Sequence, residues 1–141
     1  MYIQANEVPH NYTCCQSTTC PLRETCLHHI AWQLLPQNRE TFTAYNPAVI
    51  NESGDCDFFR SNEQQRFAKG FVGMQKKMFP GQYVTFKYEL FRLFGRTSFY
   101  ECRRGNRLLS PEEQEAVRKA LKRAGADESL EFDAYEDQIA W

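Results

Sequence analysis

Cys14, Cys15, Cys20 and Cys26 fall within thirteen residues, and Cys56 follows after a long gap. Thiolates are soft metal ligands, and four of them make a common structural zinc shell, each sulfur about 2.3 Å from a tetrahedral ion. Cys15, Cys20, Cys26 and Cys56 can supply that shell, with Cys14, His28 or His29 as alternates for one position. The gaps between the first three are four and five residues. These are wider than the tight knuckle of ordinary zinc ribbons, so the spacing permits zinc without specifying it. An iron-sulfur cluster is the rival occupant. A gap of four matches the opening of the plant-type ferredoxin pattern and Pro21 follows Cys20 as in the bacterial one, yet the remaining spacings fit neither. The bland alternative is that these thiols, like Cys102 among its aromatic neighbours, are small hydrophobes of the core. A catalytic cysteine needs a base and a perturbed pKa, and the sequence shows neither, so a non-enzymatic role is expected.

A second chemistry is electrostatic. Residues 1 to 65 carry three basic and seven acidic side chains, residues 66 to 123 carry fourteen and five, and the last eighteen carry six acids and no base. The formal charge of -1 therefore hides blocks of -4, +9 and -6. Lys87, Arg92, Arg96, Arg103, Arg104 and Arg107 are the cations that could meet a phosphate backbone, because neutralising phosphates releases counterions and gives salt-sensitive affinity. Against this, a charge run is usually a solvated face, and the acidic tail could lie across the basic surface and neutralise it. Nucleic acid and another protein are thus the two partner classes to weigh.

The elements that must position these groups follow from periodicity and caps. Cys20 and Pro21 start a helix that Pro36 ends, with Leu27, Ile30, Ala31 and Leu34 at helical spacing. Thr41 to Tyr45 alternates weakly, as a short strand does. Ser61 and Gln64 form a capping box ahead of Phe67, Phe71, Met74 and Met78, which predicts a helix stopped by Pro80 and Gly81. Residues 82 to 94 fit either a strand or a helix; their length and Gly95 favour the helix. Thr97 to Leu109, turning at Arg104, Gly105 and Asn106, is expected as a hairpin. The last helix is the best signalled: Ser110 at the cap, Pro111 at the first position, Glu113 completing the box and Gly125 at the end. The tail retains Leu130, Phe132, Tyr135, Ile139 and Trp141, too much apolar surface to stay solvated, and is expected to dock.

At 141 residues, 42% hydrophobic and 25% charged, the chain has the composition of one globular domain, without repeats or low-complexity segments. No apolar run is long enough to span a bilayer, and the N-terminus lacks a basic region followed by an apolar one. No membrane partner and a cytoplasmic address are the expectations, and in a reducing cytosol six cysteines read as thiols or ligands rather than disulfides.

Cys15, Cys20-Pro21, Cys26-Leu27, Asn46-Pro47, Cys56 to Arg60, Leu93-Phe94-Gly95, Phe99-Tyr100, Arg103 to Arg107, Ser110-Pro111-Glu112 and the closing Phe132, Tyr135 and Trp141 together form a recognisable set. Nearly the whole chain resembles an uncharacterised family of small bacterial proteins common in gut anaerobes. The resemblance implies that the cysteine cluster and the arginine-rich segment belong to one unit in a bacterial cytoplasm, and it carries no activity across. The doubled Cys14-Cys15 departs from that pattern, in which a single cysteine stands, and leaves open which of the two matters. The expected fold is α+β: a mostly helical single domain with a small β-hairpin, winged-helix-like in element order. It comprises a cysteine-rich segment (1–60), a helix, helix, hairpin, helix unit (61–125) and an acidic docking tail (126–141).

Overall fold

A computed structural model describes residues 2–141. Among them the fold is α+β, with five α-helices and one two-stranded sheet. In chain order the elements are α1 (Leu27–Gln33), β1 (Gln64–Lys69), α2 (Val72–Lys76), α3 (Pro80–Phe94), α4 (Arg96–Arg104), α5 (Pro111–Arg123) and β2 (Ala134–Ile139). No helix is long and apolar enough to cross a membrane. The chain divides into two compact units: Met1–Glu63 with Ile139–Trp141, and Gln64–Gln138.

The N-terminal unit is built from loops tied by isolated bridges rather than by a sheet. Cys14 pairs with Ala44 in parallel and Cys26 with Ser61 in antiparallel fashion. The second bridge explains why α1 starts later than Cys20 and Pro21 suggest. Leu27 N–H donates to Arg60 O at 2.7 Å and Asn62 N–H to Thr25 O at 3.0 Å. These bonds hold Cys26 extended (φ −93°, ψ 122°), so α1 begins only at Leu27. The strand expected at Thr41 to Tyr45 is reduced to the one bridge at Ala44. Arg60 donates to the backbone oxygens of Ala140 and Trp141, both at 3.0 Å, and fixes the end of the chain to this unit.

The Gln64–Gln138 unit packs β1 and helices α2 to α5 around Phe71, Phe86, Leu90, Phe99, Leu109 and Leu121, all fully buried. Residues 61 to 79 were expected as one helix; instead β1 occupies Gln64–Lys69 and only Val72–Lys76 is helical. Gly70 makes the break. Its φ of +79° lies in the region that favours glycine, and a Cβ there would sit 2.8 Å from Asp133 Oδ2. Asp133 uses that space to accept from Val72 N–H at 2.8 Å and Gly73 N–H at 2.9 Å.

The expected hairpin at 97 to 109 is also corrected. Residues 96 to 104 form α4, which buries Phe99 and Cys102, three apart, on one face and ends at Gly105 with φ +84°. β-prone side chains are overridden here by tertiary packing. Only Leu109 pairs as a strand residue does, and its partner is Ala68 of β1, with N–H···O bonds of 2.9 and 3.0 Å. There is accordingly no wing at 97–109, and residues 61–125 run strand, helix, helix, helix, helix. The sheet is instead β1 with β2, which the acidic tail contributes. Helix α5 matches expectation with its reciprocal Ser110–Glu113 box, and α3 keeps the Gly95 stop but starts at Pro80, which was expected to stop the preceding helix.

Candidate metal centre

Cys15, Cys20, Cys26 and Cys56 all line one cavity of about 20 Å³ in the N-terminal unit. They arrive from separate stretches of chain. Cys15 is placed by its N–H on His28 O at 2.9 Å. Cys20 follows a turn in which its own N–H donates to Ser17 Oγ at 3.2 Å. The Ser17 and Thr19 hydroxyls donate in turn to the Glu52 carboxylate, which holds that acid below the usual carboxylate range. Cys26 precedes α1 and is held by the bridge to Ser61. Cys56 sits on the loop that Glu52 ties back, where its carbonyl accepts from Phe59 N–H at 3.1 Å.

The doubled cysteine separates cleanly. In extended backbone, successive side chains point to opposite faces. Cys14, bonded through N–H to Thr43 O at 2.8 Å and through its carbonyl to Tyr45 N–H at 3.0 Å, lines a different cavity of about 400 Å³ together with His10 and Arg39. Cys15 faces the four-cysteine cavity.

The rest of the wall is mixed: Leu22, Ile50, Tyr45 and Phe58 are apolar or aromatic, and Ser17, Arg23 and two histidines are polar. Tyr45 stacks on Phe58 at 4.3 Å between centroids and makes an edge-to-face contact with the His28 ring, while Tyr12 stacks on His28 at 4.7 Å. Spacing alone could not announce these aromatics as part of the site, because each reaches it through a contact distant in sequence. Burial pushes the Tyr12 phenol up to about 12. Its hydroxyl is enclosed without a hydrogen-bond partner.

His28 and His29 reach the same cavity. Their Nδ1 atoms meet backbone carbonyls, His28 with Thr13 O at 2.7 Å and His29 with Cys15 O at 3.1 Å. A carbonyl only accepts, so each Nδ1 is the donor in its bond. Burial pushes the His28 pKa down, toward the neutral ring.

All six cysteines are free of disulfides. Burial pushes the Cys15 thiol up; a hydrogen bond from the Ser17 backbone opposes it, and negative charge on Cys26, Cys20 or Cys56 adds to it. A cation bound by thiols would displace their protons, and the negative charge of the sulfurs would then hold it. The side chains nevertheless stand apart around the cavity. Among the described residues no three His, Cys, Asp or Glu converge as they would on a single ion.

The six cations considered for nucleic acid lie on α3, α4 and the loop after it. Arg92 pairs with Glu89 at 2.8 Å. Arg103 donates through Nε to Gln75 Oε1 at 2.8 Å. Arg107 binds Glu113 at 2.7 Å and also reaches Cys102 Sγ at 3.1 Å. Lys87 Nζ hovers 5.6 Å from the Tyr88 ring, and Arg96 and Arg104 are exposed at the two ends of α4. Half of the set therefore already serves the fold.

No curated protein and no solved structure matches the chain. A family model matches residues 1–141 from end to end. With its cysteine-lined N-terminal unit and its helical C-terminal one, the chain belongs to a family of unknown function (DUF6078).

Proposed function

We propose that the N-terminal unit is a four-thiolate metal centre, and that the protein is a metal-stabilised binding or regulatory module rather than a catalyst. The observation that carries this reading is the arrival of Cys15, Cys20, Cys26 and Cys56 at one cavity, with Cys14 turned away. Residues 41 positions apart in sequence border the same cavity in a unit built mainly of loops. A metal would supply the missing cross-link, since ligand binding to a loop-rich fold adds directly to its folding free energy. With four protein ligands the centre is closed. It leaves no coordination site for substrate or water, which favours a structural metal over a catalytic one.

The test is metal content across a serine series in the full-length protein. Cys15→Ser, Cys20→Ser, Cys26→Ser and Cys56→Ser should each lose bound metal by tenfold or more relative to the parent protein, whereas Cys14→Ser should retain it. Equal metal content in Cys14→Ser and Cys15→Ser, or none in the parent protein, would overturn the assignment.

A further inference from the structure

We infer that the second cavity of the N-terminal unit, the one that Cys14 lines, binds a small monocarboxylate with an apolar body. The site stands apart from the four-thiolate reading and does not depend on it. At about 400 Å³ the cavity falls within the roughly 300–1,000 Å³ of pockets that hold small molecules. Two turns and the end of α1 build it. Tyr12 N–H donates to Pro9 O at 3.1 Å and Arg39 N–H to Pro36 O at 3.0 Å, which shapes the turns that carry His10 and Arg39. Arg39 Nη2 then ties the turns together, donating to the His10 carbonyl and meeting His10 Nδ1 at 3.3 Å. The guanidinium is thereby fixed on the wall.

The wall chooses the ligand by charge and by apolar surface. Residues 1 to 65 carry an excess of acids, yet no Asp or Glu lines this cavity, and Arg39 is its one fixed charge. Among the described residues Arg39 has no ion-pair partner, and its Nε and Nη1 make no hydrogen bond. A held cation with two donors to spare accepts a carboxylate through charge-assisted bonds, and one cation balances one negative charge. Leu34, Leu35 and Phe42 supply apolar wall beside it. Phe42 packs on the Trp32 ring at 5.2 Å between centroids and is still exposed. Hydrocarbon laid against these side chains leaves water and adds to affinity.

The experiment is an NMR titration of isotope-labelled full-length protein with hexanoate, phenylacetate and hexanamide. At least one of the two acids should shift the backbone amides of Arg39, Thr41 and Phe42 saturably. Hexanamide keeps the hydrocarbon body without the charge and should bind about tenfold or more weakly than hexanoate. Arg39→Gln should weaken hexanoate by about the same factor and leave hexanamide unchanged, which separates recognition of the anion from bracing of His10. No saturable shift with either acid, shifts confined to residues away from the cavity, or equal affinity for hexanoate and hexanamide would overturn the inference. Those three results are read on the parent protein and do not depend on the variant folding.

Discussion

Cys14 and Cys15 are chemically identical, and the backbone alone separates their roles. Thr43 and Tyr45 hold the Cys14 peptide groups while His28 holds the Cys15 amide. All those partners are distant in sequence. That is why the sequence could nominate four cysteines, all of which line one cavity, and still leave the doubled cysteine undecided. Glu89 offers a second test at this scale. Its hydrogen bond from Arg123, at 2.7 Å, holds the carboxyl below the usual range, with Arg92 adding to the effect. A carboxylate whose folded pKa lies below its unfolded value of about 4.3 stabilises the fold above that value. The contribution is lost as pH falls through the folded pKa. Glu89→Gln should therefore unfold at a lower temperature than the parent at neutral pH, and the difference should vanish in acid. Thermal melts across the acid range check this; a difference that persists in strong acid would mean Glu89 acts by packing instead.

Helices α3 and α5 were legible because their signals are local: length and a glycine stop for α3, whose Pro80 start was read as a stop, and Pro111 with the Ser110–Glu113 box for α5. The β1 to α2 break and α4 were not. Gly70 turns the chain where Asp133, over sixty residues later, supplies the acceptor that starts α2. Asp133→Ala should lower the unfolding free energy by about 1–2 kcal/mol, the value of a helix cap with a charged acceptor. Urea unfolding measures it, and an unchanged midpoint would remove Asp133 from the account. On α4, β-prone residues became helical because Phe99 and Cys102 fill the core from one helical face. Arg107 then closes that end of the helix by binding Cys102 Sγ and Glu113. Arg107→Ala should cost about 1 kcal/mol of stability, discounted for its partial exposure, again read by urea unfolding. A variant as stable as the parent would free Arg107 for an external partner.

Across the whole molecule, the blocks of -4, +9 and -6 turn out to be spent in specific places. In the Gln64–Gln138 unit Asp133 caps amides, Glu136 approaches Lys69 at 3.8 Å, and Glu89 takes both Arg92 and Arg123. Arg118 crosses to the tail by donating to the carbonyls of Glu128 and Leu130 and by covering the Phe132 ring. Charge counts along the chain could locate these blocks but not their pairing, since a cation held by a carbonyl or a ring leaves no trace in a charge sum. The N-terminal unit has side-chain hydrogen bonds from Ser17, Thr19 and Arg60 but, among the described residues, no ion pair, and on the proposed reading its order should depend on a bound metal. Hydrogen exchange with and without a chelator should show the amides of Cys15, Leu27 and Asn62 losing protection, and those of α3 and α5 keeping it. Uniform exchange in both states would leave the metal without a folding role. The most direct measurement is X-ray absorption at the edge of the metal bound by the parent protein. Four cysteine ligands predict a first shell of sulfur alone, at about 2.3 Å. A first shell containing nitrogen or oxygen would contradict the four-thiolate centre.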